Sequence, residues 1–154
     1  MLQAADDLAA AVNTKILNKG AKYVVVINIP DIASTPSVAL FNPSAAGLFT
    51  ILVTDFNNEL KTKLPDSANV LNVDAYTASH DEVLNPGKYN LSNVTIPACN
   101  IGALPNNSSL FCNSTTLSYT DPYYLFADAV HPTPYGHALF ALYVLQAMTN
   151  KGWY

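Results

Sequence analysis

The segment Tyr23–Ile29 constrains the fold of this chain more than any other. The run Lys22-Tyr-Val-Val-Val-Ile-Asn-Ile29 is almost entirely apolar and rich in β-branched residues. Such a run is typical of a parallel strand that is buried on both faces. Parallel strands are joined by crossover connections rather than by tight hairpins, so we expect an α/β fold.

The residues that follow complete a strand–helix–strand unit. Apolar residues at helical spacing, among them Leu48, Leu52 and Leu60, predict a helix from about Ala45 to Leu64. A second short strand is predicted over Asn69–Asp74. This order is that of a βαβ unit, for which a right-handed crossover is expected.

Three further helices are predicted, and local signals mark their ends. The first covers Leu2–Asn18 and stops at Gly20, and the second covers about Ala75–Leu84 and is broken by Asn85-Pro86-Gly87. A final helix begins with Thr133 as N-cap and Pro134 in the first turn, and it runs to Lys151-Gly152. From Lys88 to Tyr123 we expect irregular structure with one helical turn at most.

These elements predict one domain over residues 1–154 with an incomplete sheet. Only two strong parallel strands are predicted, and one edge of Tyr23–Ile29 has no neighbour in the sequence. An exposed apolar edge is a pairing and aggregation hazard unless it is covered. We therefore expect a homo-oligomer, a dimer, in which two such edges pair across a two-fold axis.

Composition and charge limit the classes of function. Half of the residues are hydrophobic and 12% are charged, which excludes a disordered chain. The net charge of −4, with scattered basic residues, gives no reason to expect a nucleic-acid partner. No apolar stretch reaches transmembrane length, and the acidic start Met1-Leu-Gln-Ala-Ala-Asp-Asp7 is unlike a signal peptide.

The two cysteines are expected to form a disulfide, because the low charge and the Asn/Ser/Thr-rich loops favour an exported protein. Cys99 and Cys112 enclose a segment of Asn, Ser, Gly and Pro that has little core of its own. A disulfide closing a loop of this size would contribute roughly 3 kcal/mol to stability, mainly by restricting the unfolded chain. Two free buried thiols are the alternative.

The run Tyr124-Leu-Phe-Ala-Asp128-Ala-Val-His131-Pro-Thr-Pro-Tyr-Gly-His137 carries the chemistry. A carboxylate three residues before a histidine can orient the imidazole on one tight loop, and Pro132 fixes the backbone beyond it. This is two thirds of a hydrolytic triad, in which the acid sets the tautomer and the histidine takes a proton from a nucleophile. The structural alternative is a histidine that caps the start of the final helix.

Two other clusters are weaker candidates. Asp128, His131 and His137 match no standard metal-ligand spacing, so no metal or cofactor is expected. Ser79-His80-Asp81 contains the residue types of a triad, but consecutive residues of a helix point in different directions. We interpret it as a solvated helix face.

The Asp128–His131 run resembles the last conserved block of the SGNH (GDSL) family of serine esterases and lipases, Asp-x-x-His-Pro-Thr. Gly20–Pro36 is similar to the fourth strand of that family and its following loop, and Asn69–Tyr76 is similar to the fifth strand. The remaining matching segments, which resemble the secreted bacterial lipase and phospholipase branch, are Asn85–Thr95, the two cysteines and Leu125–His137.

The resemblance implies a flavodoxin-like parallel sheet that lacks its first three strands, because only the C-terminal half of the family is matched. It implies carboxylic-ester hydrolysis on a small ester or lipid, a secreted or cell-surface location, Asp128 as triad acid and His131 as general base. The Gly-Asp-Ser-Leu and Gly-x-Asn-Asp motifs are missing from this sequence. The nucleophilic serine and the oxyanion glycine and asparagine of the family lie upstream of the matched region.

A substitute nucleophile is therefore predicted at the carboxyl end of the first strand, where functional groups collect in parallel sheets. Ser34 is the first candidate and Ser37 the second, although Ser34 and Thr35 could simply satisfy backbone groups of the loop. Two alternatives stay open. The chain could be a non-catalytic half-domain that oligomerises and binds, or one piece of a longer esterase whose N-terminal part supplies the serine.

Overall fold

The computed structural model describes residues 1–105 and 109–153. The chain alternates helices with a small sheet in the order predicted, apart from one short helix between the first strand and the long helix. The elements are α1 (Leu2–Ala11), β1 (Val24–Ile27), α2 (Pro36–Ala39), α3 (Ala46–Lys63), β2 (Val70–Val73), α4 (Ala75–Leu84) and α5 (Pro134–Asn150). In the described residues, no helix combines the length and the apolar character needed to cross a bilayer.

The predicted βαβ unit is confirmed. Strands β1 and β2 pair in parallel, with Val24 opposite Val70 and Ile27 opposite Val73, and α3 connects them. The first strand is shorter than predicted because Ile29 has left the ladder. Its N–H donates to Oδ1 of Asn57 at 2.9 Å, and its carbonyl accepts from Nδ2 of the same side chain at 2.8 Å.

One face of the sheet carries the core. Val24 and Val26 of β1 and Val70 of β2 point to this face, where α1 and α3 pack against each other. The other buried members of this cluster are Ala5, Ala9, Val12, Phe56, Leu60 and Leu64. Burial of these apolar side chains away from water is the main force that holds the helical layer to the sheet.

The other face of β1 is partly open, so the prediction that this strand is buried on both faces was wrong. Helix α5 contacts β2, and Leu71 and Val73 on that strand are buried. On β1, by contrast, Ile27 is 47% exposed and Tyr23, just before the strand, is 70% exposed. The reason is geometric, because within the described residues β1 has one strand neighbour and α5 lies over the other strand.

The predicted ends of α3, α4 and α5 agree with the structure to within one or two residues, whereas α1 ends at Ala11, seven residues before the predicted Asn18. After α1 the chain continues through a π-helical turn and a 3-10 turn to Lys19, and Gly20 then adopts a left-handed conformation with φ of 94°. The Thr133 hydroxyl accepts a hydrogen bond from the Gly136 N–H at 3.1 Å and so caps α5 as predicted.

The segment between α4 and α5 is irregular, as predicted, but it contains more than the one helical turn that was expected. It contains short 3-10 turns at Pro86–Tyr89, Ile101–Ala103 and Ser109–Phe111, and residues 106–108 lie outside the described part. A disulfide joins Cys99 to Cys112, whose Cα atoms are 5.8 Å apart. This long segment is therefore tied together by the disulfide and by a small apolar cluster of Leu91, Leu125 and Phe126.

Candidate active site

A closed backbone loop between Phe126 and Pro132 presents the predicted acid and histidine. The two ends of the loop form an antiparallel bridge, and the N–H of Ala127 donates to the carbonyl of His131 at 2.8 Å. Pro132 then directs the chain into α5. The tight spacing of Asp128 and His131 is thus a property of a small, self-closed turn.

Asp128 lies at the centre of this turn. It is 4% exposed, and its Oδ1 accepts the N–H groups of Val130 and His131, each at 2.7 Å. Its Oδ2 lies 2.9 Å from Nδ1 of the His131 ring. The hydrogen bond predicted between the two side chains is therefore present.

The surroundings of Asp128 keep it ionised. Burial alone would raise the pKa of Asp128, but hydrogen bonds from the His131 and Val130 N–H groups and from the His131 ring outweigh burial and hold the pKa below its usual range. An ionised carboxylate only accepts hydrogen bonds, so Nδ1 of His131 carries the proton. In the neutral ring, Nε2 then holds the free lone pair of a general base.

The histidine faces solvent, although its partner is buried. The His131 side chain is 63% exposed. The ring borders an open depression of about 290 Å³, whose other walls are formed by Leu110, Cys112, Ala127 and Asp128. Both members of the pair therefore border the depression, and a substrate that enters it can reach the His131 ring.

The loop after β1 contacts the histidine loop, but Ser34 does not bind the ring. The N–H of Ser37 donates to the carbonyl of Ala129 at 2.8 Å, so the two loops are neighbours. The Ser34 hydroxyl instead lies 2.5 Å from Oδ2 of Asp31. To reach the His131 ring, the Ser34 hydroxyl must turn away from Asp31. The role of Ser34 as nucleophile therefore stays a prediction.

A second histidine–carboxylate pair was missed by the sequence analysis. Nδ1 of His80 lies 2.7 Å from Oδ2 of the buried Asp31, and the Asp31 N–H donates to Oγ of Ser79 at 2.9 Å. The His80 side chain is 45% exposed, so the predicted solvated face is not contradicted, but that prediction missed the pairing with Asp31. The only local signal was that Asp31 follows a buried strand.

His137 lies in the first turn of α5 and is exposed. In the described part of the chain, no group of three or more His, Cys, Asp or Glu side chains is placed to hold a metal ion.

A glycine supports the histidine loop from below. A Cβ atom at Gly136 would lie 3.0 Å from the carbonyl oxygen of Leu125, just before the loop, and 3.0 Å from Cβ of Pro132 at the end of the loop. We expect Gly136→Ala to lower the free energy of unfolding by about 1–3 kcal/mol through overpacking. Urea denaturation checks this, with Gly47→Ala in α3 as the control.

The control substitution places a methyl group where no atom lies within 4 Å. Gly47→Ala should be neutral or stabilising by up to about 1 kcal/mol, because alanine favours the helix over glycine. Equal stability changes at the two positions would contradict a steric role for Gly136.

A model of the family described as GDSL-like lipase/acylhydrolase matches residues 2–144. The chain belongs to this family. The sequence resemblance to GDSL enzymes is thereby confirmed, while the secreted bacterial branch stays a prediction.

Among curated proteins, the chain is similar to the anther-specific proline-rich protein APG of Brassica napus. The two are 28% identical over 137 residues, which cover 82% of this chain and 30% of the relative. The chain thus spans under a third of the length of this relative.

Proposed function

We propose that this GDSL-family chain hydrolyses carboxylic esters, with His131 as the general base and Asp128 as the acid that orients it. The observation that supports this proposal most is the hydrogen bond between a buried, ionised carboxylate and Nδ1 of an exposed ring. This arrangement leaves Nε2 as a proton acceptor beside an open depression.

In the proposed reaction, Nε2 of His131 removes the proton of a hydroxyl nucleophile as the oxygen attacks the ester carbonyl. The imidazolium that forms is stabilised by Asp128 and then returns the proton to the leaving alcohol. Water repeats the cycle on the acyl-enzyme. The substrate class is a small ester or a lipid, and the disulfide is consistent with a secreted or cell-surface location.

Ser34 is the nucleophile we would test first, with Ser37 second. Ser34 lies three residues before Ser37, whose backbone contacts the histidine loop. The hydrogen bond from Ser34 to Asp31 favours a second candidate, in which this chain is one piece of a longer esterase and another segment supplies the serine. A chain that oligomerises and binds without catalysis is the remaining alternative.

A fluorophosphonate probe separates these possibilities. The purified chain is treated with the probe, the adduct is mapped to a peptide, and turnover of p-nitrophenyl butyrate is measured in parallel. An adduct that disappears in Ser34→Ala, but not in Ser44→Ala, supports Ser34. If the chain shows neither an adduct nor turnover, catalysis by this chain alone is overturned.

We also propose that the chain forms a homodimer in which the edge of β1 that does not pair with β2 pairs with the same edge of a second copy. Ile27→Lys should convert the dimer to a monomer, because a charge would be buried beside the pairing edge, where Ile27 is 47% exposed. Light scattering at micromolar concentration gives the mass. Leu84→Lys, at a 64% exposed position in α4, is the control. A monodisperse wild-type monomer would refute the dimer.

A further inference from the structure

The Cys99–Cys112 disulfide contacts the backbone from which the histidine loop starts. The N–H of Cys99 donates to the carbonyl oxygen of Ala127 at 2.8 Å, and Sγ of Cys112 lies 3.4 Å from the same oxygen. A disulfide sulfur carries no proton, so the second contact is one of packing. Ala127 directly precedes Asp128, and both halves of the bridge therefore meet at the first residue of the loop.

Ala127 is held on two sides. Its carbonyl is bound to Cys99, while its N–H donates to the carbonyl of His131 at 2.8 Å and closes the loop. The preceding carbonyl, that of Phe126, accepts the N–H of Ala98 at 2.9 Å. The orientation of the peptide between Ala127 and Asp128 thus depends on where the segment at Cys99 lies.

Cys112, the other half of the disulfide, lies at the depression beside His131. It belongs to a segment with no helix or strand longer than a 3-10 turn in the described residues. Cys99 is 2% exposed, and its backbone also pairs with that of Leu117 in an isolated antiparallel β-bridge. The covalent bond therefore fastens a weakly structured wall of the depression to a buried anchor.

We infer that the Cys99–Cys112 disulfide is a positioning element for the Asp128–His131 pair. It fixes Ala127 and the Cys112 wall so that the carboxylate stays aligned with Nδ1 of the ring. The consequence for turnover rests on the proposed ester hydrolysis, but the alignment itself can be measured without any turnover.

The chain contains an internal control for this measurement. His80 is bound through Nδ1 to the buried carboxylate of Asp31 at 2.7 Å, just as His131 is bound to Asp128 at 2.9 Å. The His80 pair joins α4 to the loop after β1, and its partners do not include the disulfide. A local effect of the bridge should therefore change His131 and leave His80 unchanged.

The experiment records two-bond ¹H–¹⁵N correlations of ¹⁵N-histidine-labelled protein, at a pH where the three imidazoles are neutral. These spectra report which ring nitrogen carries the proton. The intact protein is compared with protein reduced by a phosphine and with the Cys99→Ala/Cys112→Ala double variant. The variant excludes effects of the reductant.

We expect the intact protein to show His131 and His80 with the proton on Nδ1. Without the bridge, His131 should move toward the Nε2–H form that a free imidazole prefers, with a change in the tautomer ratio on the order of tenfold, while His80 keeps its tautomer. An unchanged His131 would overturn the inference. Loss of the Nδ1–H form at both His131 and His80 would also overturn it, because the bridge would then stabilise the whole fold rather than this pair.

Ester turnover distinguishes this inference from the proposed function. If the intact protein hydrolyses p-nitrophenyl butyrate, loss of the bridge should lower kcat more than it raises KM, because alignment of the base matters most in the transition state. A protein with no turnover but a bridge-dependent His131 tautomer would retain the positioning role and lose the hydrolase proposal.

Discussion

Replacing His131 with alanine is expected to lower kcat/KM for p-nitrophenyl butyrate by about 10³- to 10⁴-fold if the chain acts as the proposed hydrolase. The ring is the group that takes the proton from the nucleophile, and Asp128 has no route to do so itself, because it is 4% exposed and bound to two backbone N–H groups. Removing the ring should therefore leave the nucleophile protonated and unreactive.

The matched control is His137→Ala, which removes an exposed imidazole from the first turn of α5 without touching the pair. It should leave kcat/KM within about twofold and stability within about 0.5 kcal/mol, as for most surface substitutions. Steady-state kinetics on both variants, with circular dichroism to verify folding, makes the comparison. Turnover that persists in His131→Ala would exclude this ring from the mechanism.

The Asp128–His131 pair could be predicted from sequence because its determinants are local. Three residues separate the two side chains, Pro132 restricts the backbone, and Thr133 caps the following helix. Short-range geometry of this kind depends largely on turn and capping chemistry, which neighbouring residues in the sequence reveal. The ends of α4 and α5 were predictable for the same reason.

The His80–Asp31 pair could not be predicted in this way. The two residues are 49 positions apart, and they meet because Asp31 lies in the loop after β1 while α4, which follows β2, lies beside that loop. That meeting depends on the register of Val24 with Val70, which the apolar pattern leaves undetermined. The exposure of Ile27 was likewise set by its neighbours rather than by its own segment.

The burial of Glu82 could not be predicted from the sequence either. Glu82 lies on α4 on the same buried face as Ala75 and Ala78, and it is 8% exposed. Within the described part of the chain, its carboxyl group makes no hydrogen bond, in contrast to Asp128. A buried carboxylate without a partner is costly, and the group responds by holding its proton.

Burial, with a smaller contribution from the neighbouring Asp81 charge, raises the pKa of Glu82 to about 7 from an ordinary value of 4.5. Between these two pH values the folded protein binds a proton that the unfolded chain has lost. Stability therefore falls as the pH rises from 4.5 to about 7, and it levels off above that. The protein is expected to lose roughly 2–3 kcal/mol of stability through this group by pH 8.

Glu82→Gln should remove that loss, because the amide has the same shape and never ionises. We expect the variant to match the wild type at pH 4 and to exceed it by about 2–3 kcal/mol at pH 8, measured by urea denaturation at both pH values. Glu59→Gln makes the same substitution on α3, where the carboxylate is 26% exposed and pairs with Lys63. That control should keep the wild-type pH slope. A stability difference between Glu82→Gln and wild type that is the same at pH 4 and pH 8 would contradict a protonated Glu82, since only a titrating group makes the difference grow with pH.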